Sequence, residues 1–540
     1  MTQTPWHQRH SHLAPRLLIG LLLFCLSVAL YSWSLNSERF TDPDSFYHIA
    51  MAEIIRDTHN IPHTFSWLPY TSLGTHYTDH HFLYHVLLIP FVTLLPPFLG
   101  AKILTIILAS LVIVGIYALL VKNKAPFSEL WILALLLSSS FLFRMGLVKA
   151  PSTSALFLIV SVMLLLQPRW HRFLLLVSFF FVWSYGGFIV LPLLAACLSL
   201  GGAGAWLINR TTERRTQAIS LLKAFGIILI GTASGLLIHP SFPDHFALIW
   251  QQLIVIGILN AQDVIGVGRE WYPIAVSNML LRDSIVLIPW LLSSIFALTR
   301  YKRLSGETIG LFLYSSILLV FTLKSQRYIE YLIPWAVISG AFLLRDTVRN
   351  ESTHRASLSI FLETIEQRMT RYIQTPKSVI LYANHGAIAI LSILLIAIIG
   401  IQNITNVHAD LQSGFVYSDT KAASQAIAAH TQPGDIVFHS DWDMFPQLFY
   451  WNRQNHYIVG LDPTFLYHQD PARYWLWHDI TLGTQKDNVF EHIRDDFHAK
   501  AVIVETSNNG MLRLIKADPR FIEIFADSDY FVFTLQEPSS

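Results

Sequence analysis

Charge is what this chain has little of: 14% of its 540 residues are Asp, Glu, Lys or Arg, 53% are apolar, and the formal net charge is +1. A soluble protein of this size needs far more polar surface, so most of the chain belongs in lipid, and nothing in the charge balance favours a nucleic-acid partner. Cysteine is nearly absent. Cys25 and Cys197 both fall in apolar runs without a spacing pattern, which excludes a disulfide framework. The N-terminal apolar run, Leu17 to Trp33, has no small-x-small cleavage signal at Ser34 to Ser37 and reads as a retained helix rather than a signal peptide.

What is present is a series of hydrophobic runs long enough to span the hydrocarbon. After 17–33 they lie at 101–121, 128–143, 153–166, 172–187, 189–208, 218–237, 283–299, 307–323, 328–344 and 385–401, which predicts an α-helical polytopic membrane domain with about eleven crossings. Topology turns on the run from Phe82 to Leu99. Counted as a crossing, it would put the basic loops at Lys122/Lys124, Arg169 to Arg172, Arg210 to Arg215 and Arg300 to Arg303 outside. Read as a re-entrant or interfacial segment, broken at Pro90 and Pro96-Pro97, it moves all of them to the cytoplasm, as the positive-inside rule requires. The N-terminus is then inside and the C-terminus outside. Long outer loops cover 35–100 and 238–282, short ones 144–152 and 324–327, and an Arg- and Ser-rich cytoplasmic linker covers 345–384, with an amphipathic piece at Leu358 to Ile373.

Membrane domain 1–401 gives way at 402–540 to a polar mixture of a size able to own a core. Strand-like runs (435–438, 456–459, 501–504, 521–525, 530–534) alternate with helix-like runs (420–429, 487–497, 510–516), the pattern of an extracytoplasmic α/β domain.

Chemistry concentrates in the first outer loop, where Asp42, Asp44, Tyr47, His48, Glu53, Asp79, His80, His81 and His85 fall within residues 42–85. Hard divalent cations prefer carboxylate oxygens and imidazoles suit softer ones, so Asp44, Asp79 and His80 are candidate metal ligands; the plainer reading is polar groups facing water at the membrane surface. A second constellation, Lys324-Ser325-Gln326-Arg327-Tyr328-Ile329-Glu330-Tyr331, opens a crossing on its outer side. Arg327 there either grips a phosphate with its planar donor fork or snorkels to the interface. Arg144 and Lys149, in a short outer loop, add cations on a side that usually lacks them, which points to an anionic ligand. Arg269-Glu270-Trp271-Tyr272-Pro273 is either a closing element over substrate or an aromatic interfacial anchor. Ser440-Asp441-Trp442-Asp443-Met444, with Asn452-Arg453 and Gly460-Leu461-Asp462-Pro463 beyond it, follows the first strand of the soluble domain and is either a sugar- or peptide-binding loop or a structural turn.

Taken in order, these pieces resemble the GT-C superfamily of membrane glycosyltransferases, most of all the catalytic subunits of oligosaccharyltransferases. Asp42-Pro43-Asp44-Ser45-Phe46-Tyr47-His48 resembles the acidic motif after that family's first crossing, Arg327-Tyr328 its late Arg-aromatic motif, and Glu270 its outer-loop acid. Asp441-Trp442-Asp443-Met444-Phe445, with Asn452-Arg453 beyond it, is the nearest stretch to its Trp-Trp-Asp-Tyr-Gly signature and Asn-Arg pair, in altered form. The resemblance implies a transferase that takes a sugar from a polyprenyl-phosphate donor to a protein, glycolipid or glycan acceptor outside the cytoplasm, in a bacterial inner (plasma) membrane. Asp44 and Asp42 would be catalytic; Arg327, Lys149 and Arg144 would hold donor phosphate; His48, Glu270, Trp271, Asp441, Trp442 and Asp443 would contact the acceptor or other parts of the substrate. Where the family has a second acidic metal motif, this chain has Val148-Lys149-Ala150-Pro151-Ser152. A divalent cation (Mg²⁺ or Mn²⁺) and a lysine supplying that charge are therefore both open, as are a transporter and a non-catalytic binder of lipid-linked glycans.

Overall fold

The computed structural model describes residues 13–257, 259, 261–348 and 376–536. In hydrocarbon every backbone group must be satisfied within its own segment, so the apolar runs become helices. These begin with α1 (Leu13–Ser34), the two-residue strand β1 (Arg39–Phe40), α2 (Asp44–Thr58), α3 (Phe82–Leu94), α4 (Pro97–Lys122), α5 (Ser128–Leu136), α6 (Ser139–Gly146) and α7 (Pro151–Leu165). The series continues with α8 (Leu174–Ser184), α9 (Val190–Ile208), α10 (Thr212–Leu237), α11 (His245–Ile249), α12 (Val276–Leu298), α13 (Gly306–Lys324), α14 (Ile329–Val348) and α15 (Pro376–Leu411).

By length and composition, seven helices among the described residues can cross a bilayer, or eight if α5 and α6 count as one span. Each of the eleven expected runs coincides with a helix or with that pair, but α7, α8 and α14 fall short of the same measure. The α5/α6 pair is bent by 69°, where the sequence suggested one continuous run. Polar chemistry makes the bend: Ser138 caps α6 by accepting from the Phe141 N–H, and Asp283 Oδ1 accepts from Ser138 Oγ at 2.5 Å and from the Ser140 N–H at 3.2 Å.

The 13 residues of α3 reach about 20 Å, short of the hydrocarbon thickness. Pro90 does not break α3, contrary to expectation, since one missing donor is tolerated inside an otherwise apolar helix. The break comes at Pro96-Pro97, where Pro97 opens α4 at a position that needs no N–H. The polar residues after 401 continue α15 to Leu411, ten residues past the expected boundary, because Asn403 Nδ2 anchors it to the carbonyls of Leu137 and Arg282, each at 2.8 Å. The amphipathic linker piece Leu358–Ile373 lies outside the described residues.

Helix α14 is the buried centre of the bundle, with nearly every side chain from Ile329 to Leu343 enclosed. Helices α9 and α13 meet through glycines: a Cβ on Gly201 would lie 2.3 Å from the Gly306 carbonyl, so only a hydrogen allows the backbones this close.

Beyond α15 follow β2 (Phe415–Val416), α16 (Lys421–His430), β3 (Ile436–His439), α17 (Phe445–Trp451), β4 (His456–Tyr457), α18 (Thr464–Gln469) and α19 (Pro471–Leu482). The chain then forms α20 (Val489–Glu491), β5 (Ala499–Glu505), α21 (Asn509–Ala517), β6 (Phe521–Ala526) and β7 (Tyr530–Leu535). The expected strands form one sheet in the order β4-β3-β5-β7-β6, parallel across β4, β3 and β5 and antiparallel beyond. The run 487–497 is not a single helix, since α20 passes into a π turn over His492–Asp496.

The stretch from Tyr47 to Tyr77 is part of this domain's core. Tyr47, Phe65 and Tyr77 pack with Val437, Phe445 and Phe449, and Trp67 Nε1 donates to the Arg453 carbonyl at 2.7 Å. Strand β1 pairs antiparallel with β2, Arg39 opposite Val416 and Phe40 opposite Phe415. Gly414, at φ +96°, makes that pairing possible, because a Cβ there would sit 2.5 Å from the Phe40 carbonyl. These ties hold Asp42 and Asp44 beneath the loop that follows β3.

Candidate active site

A cavity with about 1440 Å³ of atom-free space, part of it open to solvent, lies between the helical bundle and the sheet domain. Its walls bring together Asp42, Asp44, His48 and His80 from the segment 42–85, Arg144 and Lys149 from the α6–α7 region, Glu270 and Trp271, Arg327, and Trp442, Asp443 and Asp462. Most of the site residues expected from sequence therefore converge, although they are spread over 400 positions.

At the start of α2 the Asp42 Oδ1 accepts the Asp44 N–H at 3.0 Å, which turns both carboxylates to one side. Lys149 Nζ sits between them, 2.8 Å from Asp42 Oδ2 and 2.7 Å from Asp44 Oδ2. The backbone aims it there: the Lys149 N–H donates to the Leu147 carbonyl at 2.8 Å, and Val148 and Ala150 on either side are buried. Burial opposes charge on Lys149, but Asp42 and Asp44 together hold its ammonium well above the ordinary lysine range. Burial pushes the Asp44 carboxyl up, against the pull of Lys149 and helped by the charge of Asp42.

Opposite lies a second charged group. Glu270 takes Arg144 Nη1 on Oε2 at 2.9 Å and Arg327 Nη1 on Oε1 at 3.0 Å, and the Arg327 guanidinium covers the Trp271 ring at 4.8 Å. Burial works against the Glu270 charge, yet Arg327, Arg144 and Lys149 keep its carboxyl well below the usual range. Arg144 also donates through Nε to Glu330 at 3.0 Å, and Tyr185 Oη links the two ends, donating to Glu330 at 3.1 Å and accepting from Arg327 at 3.2 Å. Arg327 is thus engaged by Glu270, Trp271 and Tyr185. Arg144 is more deeply committed still, to two carboxylates at once, and serves the cavity chiefly by holding Glu270.

The candidate metal set does not assemble. Asp79 is 1% exposed and accepts from His85 Nδ1 at 2.7 Å and from the His81 N–H at 3.0 Å, so both its oxygens are engaged. Among the described residues no three His, Cys, Asp or Glu side chains converge to hold an ion. Burial leaves His80, at the cavity wall, with its pKa lowered to about 4. Asp441 is absent from the cavity wall, because its carboxylate accepts the Asp443 N–H at 3.0 Å and caps the turn at Trp442. Trp442 and Asp443 do line it. Burial, then Asp441, Asp44 and Asp42, push the Asp443 carboxyl up to about 8.

Sequence reasoning missed four features. The buried chain Asp79–His85–His48 continues from His85 Nε2 to His48 Nδ1 at 2.8 Å and leaves His48 Nε2 enclosed and without a hydrogen-bond partner. Its members stand in the polar cluster of the first loop, but a histidine cluster does not announce which rings touch. Glu330 stands in the Arg327 constellation, and Asp462 in the second soluble-domain motif. Asp462 accepts the Thr464 N–H at 2.9 Å, and burial raises its carboxyl to about 6. Tyr185 left no signal, since it sits inside an apolar run.

No protein-family model matches the sequence, and neither does any curated protein. Solved structures do match in fold. The archaeal oligosaccharyltransferase AglB from Archaeoglobus fulgidus, in complex with an inhibitory peptide and a dolichol-phosphate, superposes with a TM-score of 0.60 at 11% identity, covering 99% of this chain and 75% of that one. The same organism's oligosaccharyltransferase in complex with Zn and sulfate gives 0.54 at 12% identity over 95% of this chain and 73% of that one. ArnT from Cupriavidus metallidurans, bound to undecaprenyl phosphate, gives 0.55 at 13% identity over 96% and 99%. Nearly the whole chain thus has the fold of the GT-C membrane glycosyltransferases.

Proposed function

We propose that this protein transfers a sugar or oligosaccharide from a polyprenyl-phosphate-linked donor to an acceptor on the extracytoplasmic side of the membrane, with the sheet domain on that side. One observation carries the reading: a single cavity sets the Asp42/Asp44 pair against the cations around Glu270. A half-buried acid facing a group of cations is what such a transfer needs. An acceptor hydroxyl attacks the anomeric carbon, and the bond from that carbon to the phosphate oxygen breaks with its electron pair leaving on the phosphate. The acceptor's proton passes to Asp44.

Asp42 holds Asp44 in place through the Asp44 N–H. Arg327 and Lys149 balance the charge that grows on the departing phosphate, a preorganised arrangement that needs no protonation of the leaving group. His48, with its enclosed free Nε2, and Trp271, Trp442 and Asp443 form the walls for sugar and acceptor. The structural neighbours with dolichol-phosphate and undecaprenyl phosphate support a lipid-phosphate donor. The test is incubation of the purified protein with a labelled polyprenyl-phosphate sugar and candidate protein, glycolipid or glycan acceptors. Transfer or donor hydrolysis supports the reading; binding without turnover makes the protein a non-catalytic binder, and vesicle uptake without transfer makes it a carrier.

A further inference from the structure

An ion such as Mg²⁺ keeps several waters, takes one or two free carboxylates from the protein and brings two positive charges. The cavity's acids do not offer that. Asp42 and Asp44 already share the Lys149 ammonium at 2.8 and 2.7 Å. Glu270 has one oxygen on Arg144 and the other on Arg327. Asp79, the next carboxylate in the first loop, is spent on His85 and the His81 N–H. Each of these acids thus already has a cation, an imidazole or a backbone N–H of the protein as a partner. A divalent ion entering between Asp42 and Asp44 would have to expel Lys149, whose side chain is only 17% exposed, or stand beside its charge.

We infer that Lys149 is the resident cation of this centre: its ammonium holds the place between Asp42 and Asp44 and excludes a divalent ion from it. This rests on the transferase reading only for its catalytic corollary, that turnover needs no metal. An ammonium suits the position in its own way. It carries three donors, and with two directed at Asp42 and Asp44 the third is available to an oxygen of a phosphate ester. The placement is local to the α6–α7 turn, where Val148 and Ala150 are buried and Pro151 starts the next helix, so the lysine cannot drift along the chain.

The experiment is Mn²⁺ binding to the full chain in nanodiscs, followed by electron paramagnetic resonance. Wild type should show only weak Mn²⁺ association, unchanged in Asp44→Asn. Lys149→Glu, which replaces the ammonium with a third carboxylate, should gain a site at least about tenfold tighter, lost again in the Lys149→Glu/Asp42→Asn double variant. A stoichiometric wild-type site that Asp44→Asn abolishes would overturn the inference, and that measurement needs no variant at position 149 to fold. Where transfer is detected, a chelator should leave wild-type turnover within about twofold; loss with chelator and return with Mn²⁺ also overturns it. Absence of transfer alongside the expected Mn²⁺ pattern defeats the transferase reading and leaves the assignment of Lys149 standing.

Discussion

Arg327 Nη1 lies 3.0 Å from Glu270 Oε1, and the same guanidinium lies over the Trp271 ring, so the residue just before α14 is held in place before any ligand arrives. The pair is about a quarter exposed on each side, which leaves water able to screen it and leaves the arginine reachable from the cavity. In the proposed transfer, preorganisation of this kind is what a phosphate-binding cation requires.

Replacing Arg327 separates charge from shape. Arg327→Lys keeps the charge but loses the planar fork, and transfer should fall by about an order of magnitude or more, equivalent to about 1.4 kcal/mol of transition-state stabilisation. Arg327→Ala should do worse. Steady-state transfer together with donor-binding assays on both variants checks this; wild-type affinity and turnover in Arg327→Ala would remove the residue from the site.

Asp44→Asn should abolish transfer while the protein stays folded, because an amide neither takes the acceptor's proton nor pairs with the Lys149 ammonium as a charge. Asp42→Asn should weaken turnover without abolishing it, since the positioning bond to the Asp44 N–H can still be made by the amide oxygen. Turnover and melting temperature measured side by side decide between lost chemistry and lost fold. Unchanged turnover in Asp44→Asn would exclude its proposed role.

Asp443 gives a prediction in pH. Its carboxyl stands at about 8 in the folded protein against an ordinary 3.8, chiefly because it is buried. The folded state therefore keeps a proton that the unfolded chain gives up, and this contribution to stability is complete below about pH 4 and is lost as the pH climbs towards 8. Asp443→Asn removes the loss, so its melting temperature should rise relative to wild type between pH 5 and pH 8. Parallel pH dependence of the two proteins over that window would show that Asp443 is already charged at neutral pH.

Orientation is tested by labelling. In a Cys25→Ser/Cys197→Ser background, Ser418→Cys should react with an impermeant reagent applied to the outside of intact cells, and Lys124→Cys should not, both positions being exposed on the protein surface. Outside labelling at position 124 would invert the proposed topology of the α4–α5 loop.

The membrane class, the positions of the apolar helices, the change of character towards the C-terminus and the strands of its sheet could all be read from the sequence, because each depends on local runs: hydrophobic length for a span, alternation for a strand. Asp42, Asp44, Arg327 and Glu270 were visible because charged groups in a mostly apolar chain are costly to keep without a use. Tertiary structure alone decided how they pair. That Lys149 would sit between Asp42 and Asp44, that Glu270 would take two arginines, and that His85 would join Asp79 to His48 are contacts between segments from 6 to 186 residues apart, counting the Arg144–Glu330 bond. The 69° bend that carries Arg144 into the site likewise depends on Asp283, far along the chain. Burial decides which charges pair, and burial is a property of the packed molecule that no short stretch of residues carries by itself.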